Sequence, residues 1–341
     1  MNVHKKCAVH SDKRPRIVSV YKDRYLLLVN GQYVSGEITG NLRYSAQSAE
    51  DFPTTGDYVD ITYMSEDEAI ILSVFPRKTL LMRQNVSAKS EKQLIAANID
   101  MALVAMAVTE DFNLNRLERY ITICSGAGID VMCVLTKTDL SDTRHVASLI
   151  VDIRNSHPMI RVITTSMDDF ESIRMLESVL ETGKTYCLIG SSGTGKSTLL
   201  NALIGNGVQK TSEISAFNKK GRHTTTSRDL FELACGAYVI DTPGMKLIGM
   251  VDTEKDITEG FDNVQFWAGQ CRYKDCTHTQ ESGCAVLKAV DDGQLSEREY
   301  HNYIRLRNEQ AHYNASFVDK KRKGKKLSMT IKHMKKSGYK Q

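Results

Sequence analysis

The run Gly190-Ser191-Ser192-Gly193-Thr194-Gly195-Lys196-Ser197-Thr198 has residue types and a spacing suited to one chemistry, the cradling of a phosphate chain. Its glycines let backbone N–H groups wrap closely around an anion, Lys196 can reach the β- and γ-phosphates, and the Ser197 hydroxyl can ligate Mg²⁺. An apolar stretch, TYCLI, precedes the run and a helix-forming stretch, KSTLLNALI, follows it, giving the strand–loop–helix setting such a cradle needs. Further on, VIDTPG places Asp241 at the end of another apolar run, with Gly244 shortly after it. Asp241 can hold the Mg²⁺ shell through water, and the Gly244 N–H can bond the γ-phosphate and so sense its loss. Asp-x-x-Gly alone is a weak signal; paired with the loop it predicts a nucleoside triphosphate site.

A second group lies earlier, in VLTKTDL (Val134 to Leu140). The Asp139 carboxylate can accept from both the ring N–H and the exocyclic amine of guanine, donors that adenine lacks, and so would select GTP. Lys137 would lay its methylene stem along the base, with Thr138 between the two. Thr136 stands where the guanine-recognition pattern Asn-Lys-x-Asp has Asn; its hydroxyl donates one hydrogen bond but lacks the bidentate amide. Taken alone, TKTD is an ordinary surface turn. Its weight comes from its neighbours, because VITTS puts Ser166 at a further strand end, suited to a backbone contact with the base oxygen.

The third group is CRYKDCTHTQESGC, which supplies Cys271, Cys276, His278 and Cys284. Three thiolates and an imidazole suit tetrahedral Zn²⁺ and leave no open coordination position, so the site is expected to be structural. It would staple a C-terminal region with little apolar material for a core of its own. Cys7, near His4 and His10, has no such density, and Cys124, Cys133, Cys187 and Cys235 fall in apolar runs and are expected in the core.

The elements that must position these groups follow from periodicity. From Arg16 to about Phe75 the chain alternates short β-rich runs (RIVSVY, RYLLLV, YVSGEITG, DYVDITYM, AIILSVF) with turns, among them Asn30-Gly31, a strong hairpin signal. Short strands at this density predict a small closed barrel, with the five-stranded OB-fold as the best fit. After a polar connector, RQNVSAKSEKQ, apolar strands alternate with amphipathic helices, the signature of a mostly parallel, doubly wound α/β sheet. One such helix presents Leu114, Leu117, Ile121 and Cys124 on one face. Beyond Lys246 the chain is mixed and ends in a helix from SEREYHNYIRLRNEQ, for which Ser296 and Glu299 predict a capping box.

Composition sets the frame. The 341 residues are 41 % hydrophobic and 25 % charged, as in a soluble globular protein. The longest apolar run, MALVAMAV, is too short to span a bilayer, and the N-terminal sequence carries no secretory pattern. The cysteines do not form a disulfide framework, which points to a reducing compartment and the cytoplasm. Residues 320–341 hold ten Lys or Arg and no acid, against 35 basic and 41 acidic residues elsewhere. Such a basic tail fits a polyanionic partner, in particular nucleic acid, or a solvated tail.

In order, TKTD, TTS, GSSGTGKST, GRHTTT and DTPG are the motifs of a circularly permuted GTPase. With a barrel before them and a Cys/His cluster after them, the chain resembles the ribosome small-subunit-dependent GTPase A family (RsgA, YjeQ or YloQ). The resemblance implies an N-terminal OB-fold RNA-binding domain over 1–85, a circularly permuted P-loop GTPase domain over 86–250, and a mainly helical zinc-binding domain with the basic tail over 251–341. It implies GTP hydrolysis to GDP and phosphate, stimulated by the 30S subunit during its late maturation, with 16S rRNA as a partner, Mg²⁺ accompanying GTP, one structural Zn²⁺, a monomeric state and no membrane. Where many GTPases have a water-positioning Gln, this chain has Met245, whose thioether cannot orient water. Family resemblance points instead to His223 of GRHTTT as the water-positioning group, acting with Lys196 and Gly244. The same loop offers Thr224 to Thr226 as a second Mg²⁺ ligand, with Thr225 placed among the nucleotide contacts. Two other readings carry marks of their own: a nucleotide-dependent RNA-binding switch with negligible turnover, which Met245 would suit, and an ATPase or small-molecule kinase, which Asp139 opposes. Permutation also leads the chain from DTPG almost directly into the C-terminal region, so γ-phosphate sensing at Gly244 is expected to shift that region.

Overall fold

The computed structural model describes residues 14–21, 24–84, 92–109, 112–205, 228–242 and 261–308. His223, Thr224 to Thr226, Gly244, Met245, Cys7 and the basic tail lie outside them.

Near the N-terminus, β1 (Arg16–Tyr21), β2 (Arg24–Val29), β3 (Gln32–Ile38), β4 (Val59–Tyr63) and β5 (Glu68–Val74) form one sheet in the order β1-β2-β3-β5-β4. Asn30 (φ 52°) and Gly31 (φ 84°) make the β2–β3 turn, where positive φ matches the twist of the strands. The sheet curls until its outer strands meet. Arg16 bridges Tyr58, the Ile17 N–H donates to the Asp57 carbonyl at 2.8 Å, and the Val59 N–H donates to the Pro15 carbonyl at 3.0 Å. Ile17, Leu27, Val34, Val59 and Ile71 fill the interior. A short helix, α1 (Gly40–Ser45), leaves β3.

Arg77 then pins the exit strap to this unit. It grips the buried Asp57 carboxylate with Nε (2.8 Å to Oδ1) and Nη2 (2.7 Å to Oδ2), and Nη1 donates to the Glu50 carbonyl at 2.6 Å. Next come β6 (Leu80–Gln84) and β7 (Lys92–Ala97), which pair antiparallel and lie on either side of the expected boundary at residue 85. Sequence reading had only a polar connector here; the paired strands flank it.

The central sheet runs β10-β9-β8-β11-β13-β12. It is built from β8 (Met101–Ala107), α2 (Leu114–Gly126), β9 (Asp130–Thr136), α3 (Thr143–Ser156), β10 (Arg161–Thr164), α4 (Phe170–Glu177), β11 (Thr185–Ile189), α5 (Lys196–Ile204), β12 (Leu230–Glu232) and β13 (Tyr238–Asp241). All neighbours pair in parallel except β12, an antiparallel edge. Strands covered on both faces need apolar residues throughout, and β8 is buried from Ala102 to Ala107. One face packs Val104, Met106 and Leu135 under Leu117, Ile121, Leu149 and Ile153 of α2 and α3. The other packs Leu103, Met132 and Val134 under Ile173, Leu176, Leu199 and Leu203 of α4 and α5. The strand order reverses between β8 and β11, the position at which such sheets open a crevice.

The described C-terminal residues carry three helices joined by turns: α6 (Asp262–Ala268), α7 (Ala285–Asp291) and α8 (residues 297–308). Phe261 and Tyr303 meet edge to face at 5.6 Å in a small core with Val264, Val286 and Leu306. A polar seam docks α8 on the central unit. The Arg298 Nη2 lies 2.9 Å from Glu118 Oε1, its Nη1 donates to Asn115 Oδ1 at 2.7 Å, and Asn302 Nδ2 donates to Glu118 Oε2. Glu118 sits fully buried on α2.

Two expectations are corrected here. Glu299 does not cap its own helix: its Oε2 accepts from Asn263 Nδ2 at 3.3 Å and its Oε1 has no hydrogen-bond partner, because the side chain turns into the seam. Cys235 is exposed, because it occupies the tip of the β12–β13 turn, where Gly236 (φ 77°) reverses the chain.

Candidate nucleotide site and metal centre

Because β9, β10, β11 and β13 run parallel, Thr136, Thr164, Ile189 and Asp241 all end at one edge of the sheet. The glycine-rich run leaves β11 there and enters α5. Gly193 (φ 84°) and Gly195 (φ 85°) take left-handed conformations that turn the loop back on itself. At Gly190, a Cβ would stand 2.5 Å from the Ala105 carbonyl oxygen, so only glycine lets the loop leave β11 beside β8. Thr194 Oγ1 donates to the Ser191 carbonyl at 3.0 Å and tightens the loop. Lys196 reaches across it, its Nζ donating to the carbonyls of Gly190 (2.8 Å) and Ser191 (2.6 Å). Ser192, Gly193, Ser197 and Thr198 are exposed at the same edge.

Lys196 and Asp241 lie within electrostatic reach of each other. Burial lowers the Lys196 pKa, and the Asp241 carboxylate draws it back up. Burial also raises the Asp241 pKa, and Asp229 adds to the rise while Lys196 opposes it. The half-buried Asp241 carboxylate, with a second carboxylate at Asp229 within electrostatic reach, is a group whose negative charge a divalent cation would stabilise. Thr242 Oγ1 anchors the end of β13 to the Leu188 carbonyl on β11.

The residues expected to recognise the base lie on the other side. Lys137 adopts a left-handed conformation (φ 62°) that swings the chain off β9 into a tight turn over Thr138–Leu140. Asp139 stands exposed, with Oδ1 accepting from Ser166 Oγ at 2.8 Å. The Thr138 hydroxyl donates to the Thr165 carbonyl at 3.3 Å. Two contacts differ from expectation. The Ser166 N–H, expected to face the base oxygen, donates to Ser172 Oγ at 3.0 Å, and its hydroxyl is the group that meets Asp139. Thr136 is buried, and its hydroxyl donates to the Thr194 carbonyl at 2.7 Å, so it braces the phosphate loop.

Two supporting residues carry no mark in the sequence. Tyr120 places its OH 3.5 Å from Ser191 Oγ, and Ser172 holds Ser166 while its own hydroxyl donates to the Asp169 carbonyl at 2.6 Å. Tyr120 falls among the apolar positions of α2 and reads as core; nothing local marks Ser172.

Near the C-terminus, Cys271, Cys276, His278 and Cys284 present ligand atoms within 4.8 Å of one another, the only such group among the described residues. Cys271 Sγ and Cys284 Sγ lie 3.9 Å apart, and each lies 3.5 Å from His278 Nδ1. A tetrahedral ion with Zn–S of about 2.3 Å and Zn–N of about 2.0 Å requires ligand separations of about 3.5–3.8 Å, so the donors and their spacing fit Zn²⁺. His278 has φ 58°, and Tyr300 OH donates to its carbonyl at 2.9 Å, holding the strained residue in place. Glu281 accepts the N–H groups of Thr277 (2.8 Å) and Thr279 (3.0 Å), and these bonds, that of the Thr277 hydroxyl foremost, hold its carboxyl well below the usual range.

A family profile described as RsgA GTPase matches residues 74–251. A Listeria monocytogenes serotype 4b protein named small ribosomal subunit biogenesis GTPase RsgA 2 is 39 % identical over 300 residues, covering 87 % of this chain and 84 % of the relative. A Leptospira interrogans protein named small ribosomal subunit biogenesis GTPase RsgA is 35 % identical over 338 residues, covering 96 % and 92 %. Among solved structures, YjeQ from Thermotoga maritima superposes with a TM-score of 0.69 at 24 % identity, covering 88 % of this chain and 98 % of that one. YloQ, described as a circularly permuted GTPase, gives 0.65 at 21 % identity, covering 90 % and 99 %; both share the fold.

Proposed function

The chain belongs to the RsgA GTPase family, and from that premise we propose that it hydrolyses GTP to GDP and phosphate while bound to the small (30S) ribosomal subunit, whose late maturation it assists. In this reading 30S binding stimulates turnover. Residues 1–85 act as an OB-type RNA-binding barrel, 86–250 as the circularly permuted GTPase domain, and 251–341 as a zinc-binding unit whose basic tail meets 16S rRNA. The protein works as a monomer in the cytoplasm.

Guanine is read by Asp139, whose exposed carboxylate accepts the ring N–H and the amine while Ser166 keeps it oriented. The N–H groups of Gly190 to Thr198 surround the phosphates, and Lys196 exchanges its two loop carbonyls for phosphate oxygens. Ser197 and Asp241 would hold Mg²⁺, with Thr225 as a further contact, and the ion would supply neutralisation of the phosphate charge. His223 orients the attacking water in place of the Gln that Met245 replaces, and the Gly244 N–H senses the γ-phosphate. Cys271, Cys276, His278 and Cys284 would hold a structural Zn²⁺.

The observation that carries this reading is the convergence of Asp139, Lys196 and Asp241 on one edge of the sheet, with Thr136 tying the base motif to the phosphate loop. Competition binding with fluorescent GDP tests it. GTP and GDP should displace the probe at concentrations at least ~100-fold below ATP, since a site built for a hydrogen-bonding edge strongly rejects the analogue lacking it. Equal competition by ATP would overturn the assignment.

A further inference from the structure

Arg228 and Asp229 stand between the barrel and the nucleotide edge of the central sheet, and are bonded to both. The Thr55 hydroxyl, in the loop before β4, donates to the Arg228 carbonyl at 2.8 Å. Arg228 Nη1 donates to the Leu94 carbonyl on β7 at 2.9 Å. One residue on, Asp229 forms an antiparallel bridge with Ser19 of β1, and its carbonyl accepts the Asp241 N–H at 3.0 Å.

The barrel side of this link is rigid. Thr55 is 1 % exposed, and its carbonyl accepts the Ala97 N–H at 2.9 Å. Gly56 (φ +93°) donates its N–H to the Ile17 carbonyl at 2.9 Å, and a Cβ there would collide with the Ala97 carbonyl. Beside them Arg16 is sandwiched at 5.0 Å from the Tyr58 ring and 4.8 Å from the Tyr238 ring, with Nη2 donating to Thr185 Oγ1 at 2.6 Å. Barrel and sheet therefore share a buried polar joint, and displacement of the barrel is transmitted as displacement of residues 228–229. In sequence, Arg228 lies two residues after Thr226, the last residue of GRHTTT.

We propose that Thr55 and the Arg228-Asp229 dipeptide are positioning residues for GTP hydrolysis, through which structured RNA held by the barrel sets the placement of Asp241. This rests on the RNA-binding role of the barrel and the assignment of Asp241 proposed above. The dipeptide is fixed to the barrel on one side and to Asp241 on the other, so a barrel shift reaches the cation ligand without passing through the phosphate loop.

Thr55→Val removes only the hydroxyl, Thr55→Ser keeps it, and Arg228→Met removes the bond to Leu94. Each full-length variant would be assayed for kcat, KM and Mg²⁺ dependence with and without 30S subunits, alongside fluorescent-GDP affinity, 30S co-sedimentation and melting temperature. Loss of one such bond should lower stimulated kcat by about 5-fold in Thr55→Val and Arg228→Met and raise the Mg²⁺ needed for half-maximal rate, with KM, GDP affinity and 30S binding within about 2-fold. Thr55→Ser should restore the rate. Stimulated kcat within about 2-fold of wild type in both variants would overturn the proposal, as would a loss that tracks melting temperature and is not restored by Thr55→Ser. His223→Ala separates the two readings: full turnover in that variant removes the histidine assignment, while a raised Mg²⁺ requirement in Thr55→Val still sustains the link to Asp241.

Discussion

The Thr136 hydroxyl donates to the carbonyl oxygen of Thr194 at 2.7 Å, joining the end of β9 to the phosphate loop. This bond crosses from the residues assigned to the base to those assigned to the phosphates, and it commits the Thr136 hydroxyl hydrogen to the loop. Thr136→Val should therefore weaken GTP and GDP binding together, by about 1 kcal/mol or roughly 5-fold, through a loosened loop. Discrimination between guanine and adenine nucleotides should not change. Titration with both nucleotide classes checks this; a change in base selectivity would return Thr136 to the base contacts.

Asp139 carries selectivity in this account, and Ser166 keeps it aimed. Asn at this position presents one acceptor and one donor, which no longer matches guanine's two donors but does match xanthine's donor and acceptor. Asp139→Asn should lose GDP affinity by at least ~100-fold and gain affinity for xanthosine diphosphate. Ser166→Ala, which only frees the carboxylate, should cost about 1 kcal/mol in GDP binding without altering the preferred base. Isothermal titration of both variants with both nucleotides distinguishes these outcomes.

The seam between α8 and the central unit makes a pH-dependent contribution. Burial raises the Glu299 pKa above its ordinary 4.5, with Glu118 adding to the rise and Asn263, His157 and Arg298 opposing it. A raised folded-state value means that the protonated carboxyl is favoured in the fold. Its contribution to stability is full below the unfolded value, and is lost as pH rises through the folded one. Glu299→Gln, neutral at every pH, should raise the melting temperature at pH 7–8 by roughly 2–4 °C and converge with wild type below about pH 4. Equal melting curves at both pH values would contradict this.

Zinc removal should release the C-terminal unit and leave the central sheet standing. That unit has a small core around Phe261 and Tyr303, so a bound ion would contribute much of its folding free energy. Chelation should free about one Zn²⁺ per chain and expose Cys271, Cys276 and Cys284 to a thiol reagent. Burial pushes the Cys124 and Cys133 thiols up to about 12, so they should stay unreactive, while the exposed Cys235 labels without chelation. Mass spectrometry of labelled peptides reads all of these at once.

Much of the nucleotide edge was legible in the sequence because its requirements are local. Glycines at 190, 193 and 195, a lysine and a hydroxyl in register, and carboxylates at strand ends are each dictated by backbone geometry or ligand chemistry within a few residues. The four metal-ligand candidates and the five strands of the barrel were legible for the same reason. What escaped depends on partners distant in the chain. Thr136 meets Thr194, 58 residues away, and Thr55 meets Arg228, 173 residues away. Glu118 lies among apolar residues of α2, and only the docking of Arg298 and Asn302 explains a buried carboxylate there. Cys235 sits in an apolar string that folds as a turn, and β7 was hidden by the polar residues before it.

Hydrolysis of GTP by this chain is proposed to respond to the small ribosomal subunit. The most direct test is the initial rate of phosphate release at saturating GTP and Mg²⁺, with and without stoichiometric 30S subunits, repeated with 50S subunits. The account predicts slow release by the protein alone, an increase of about 10-fold or more with 30S subunits, and none with 50S. Equal rates under all three conditions would contradict it.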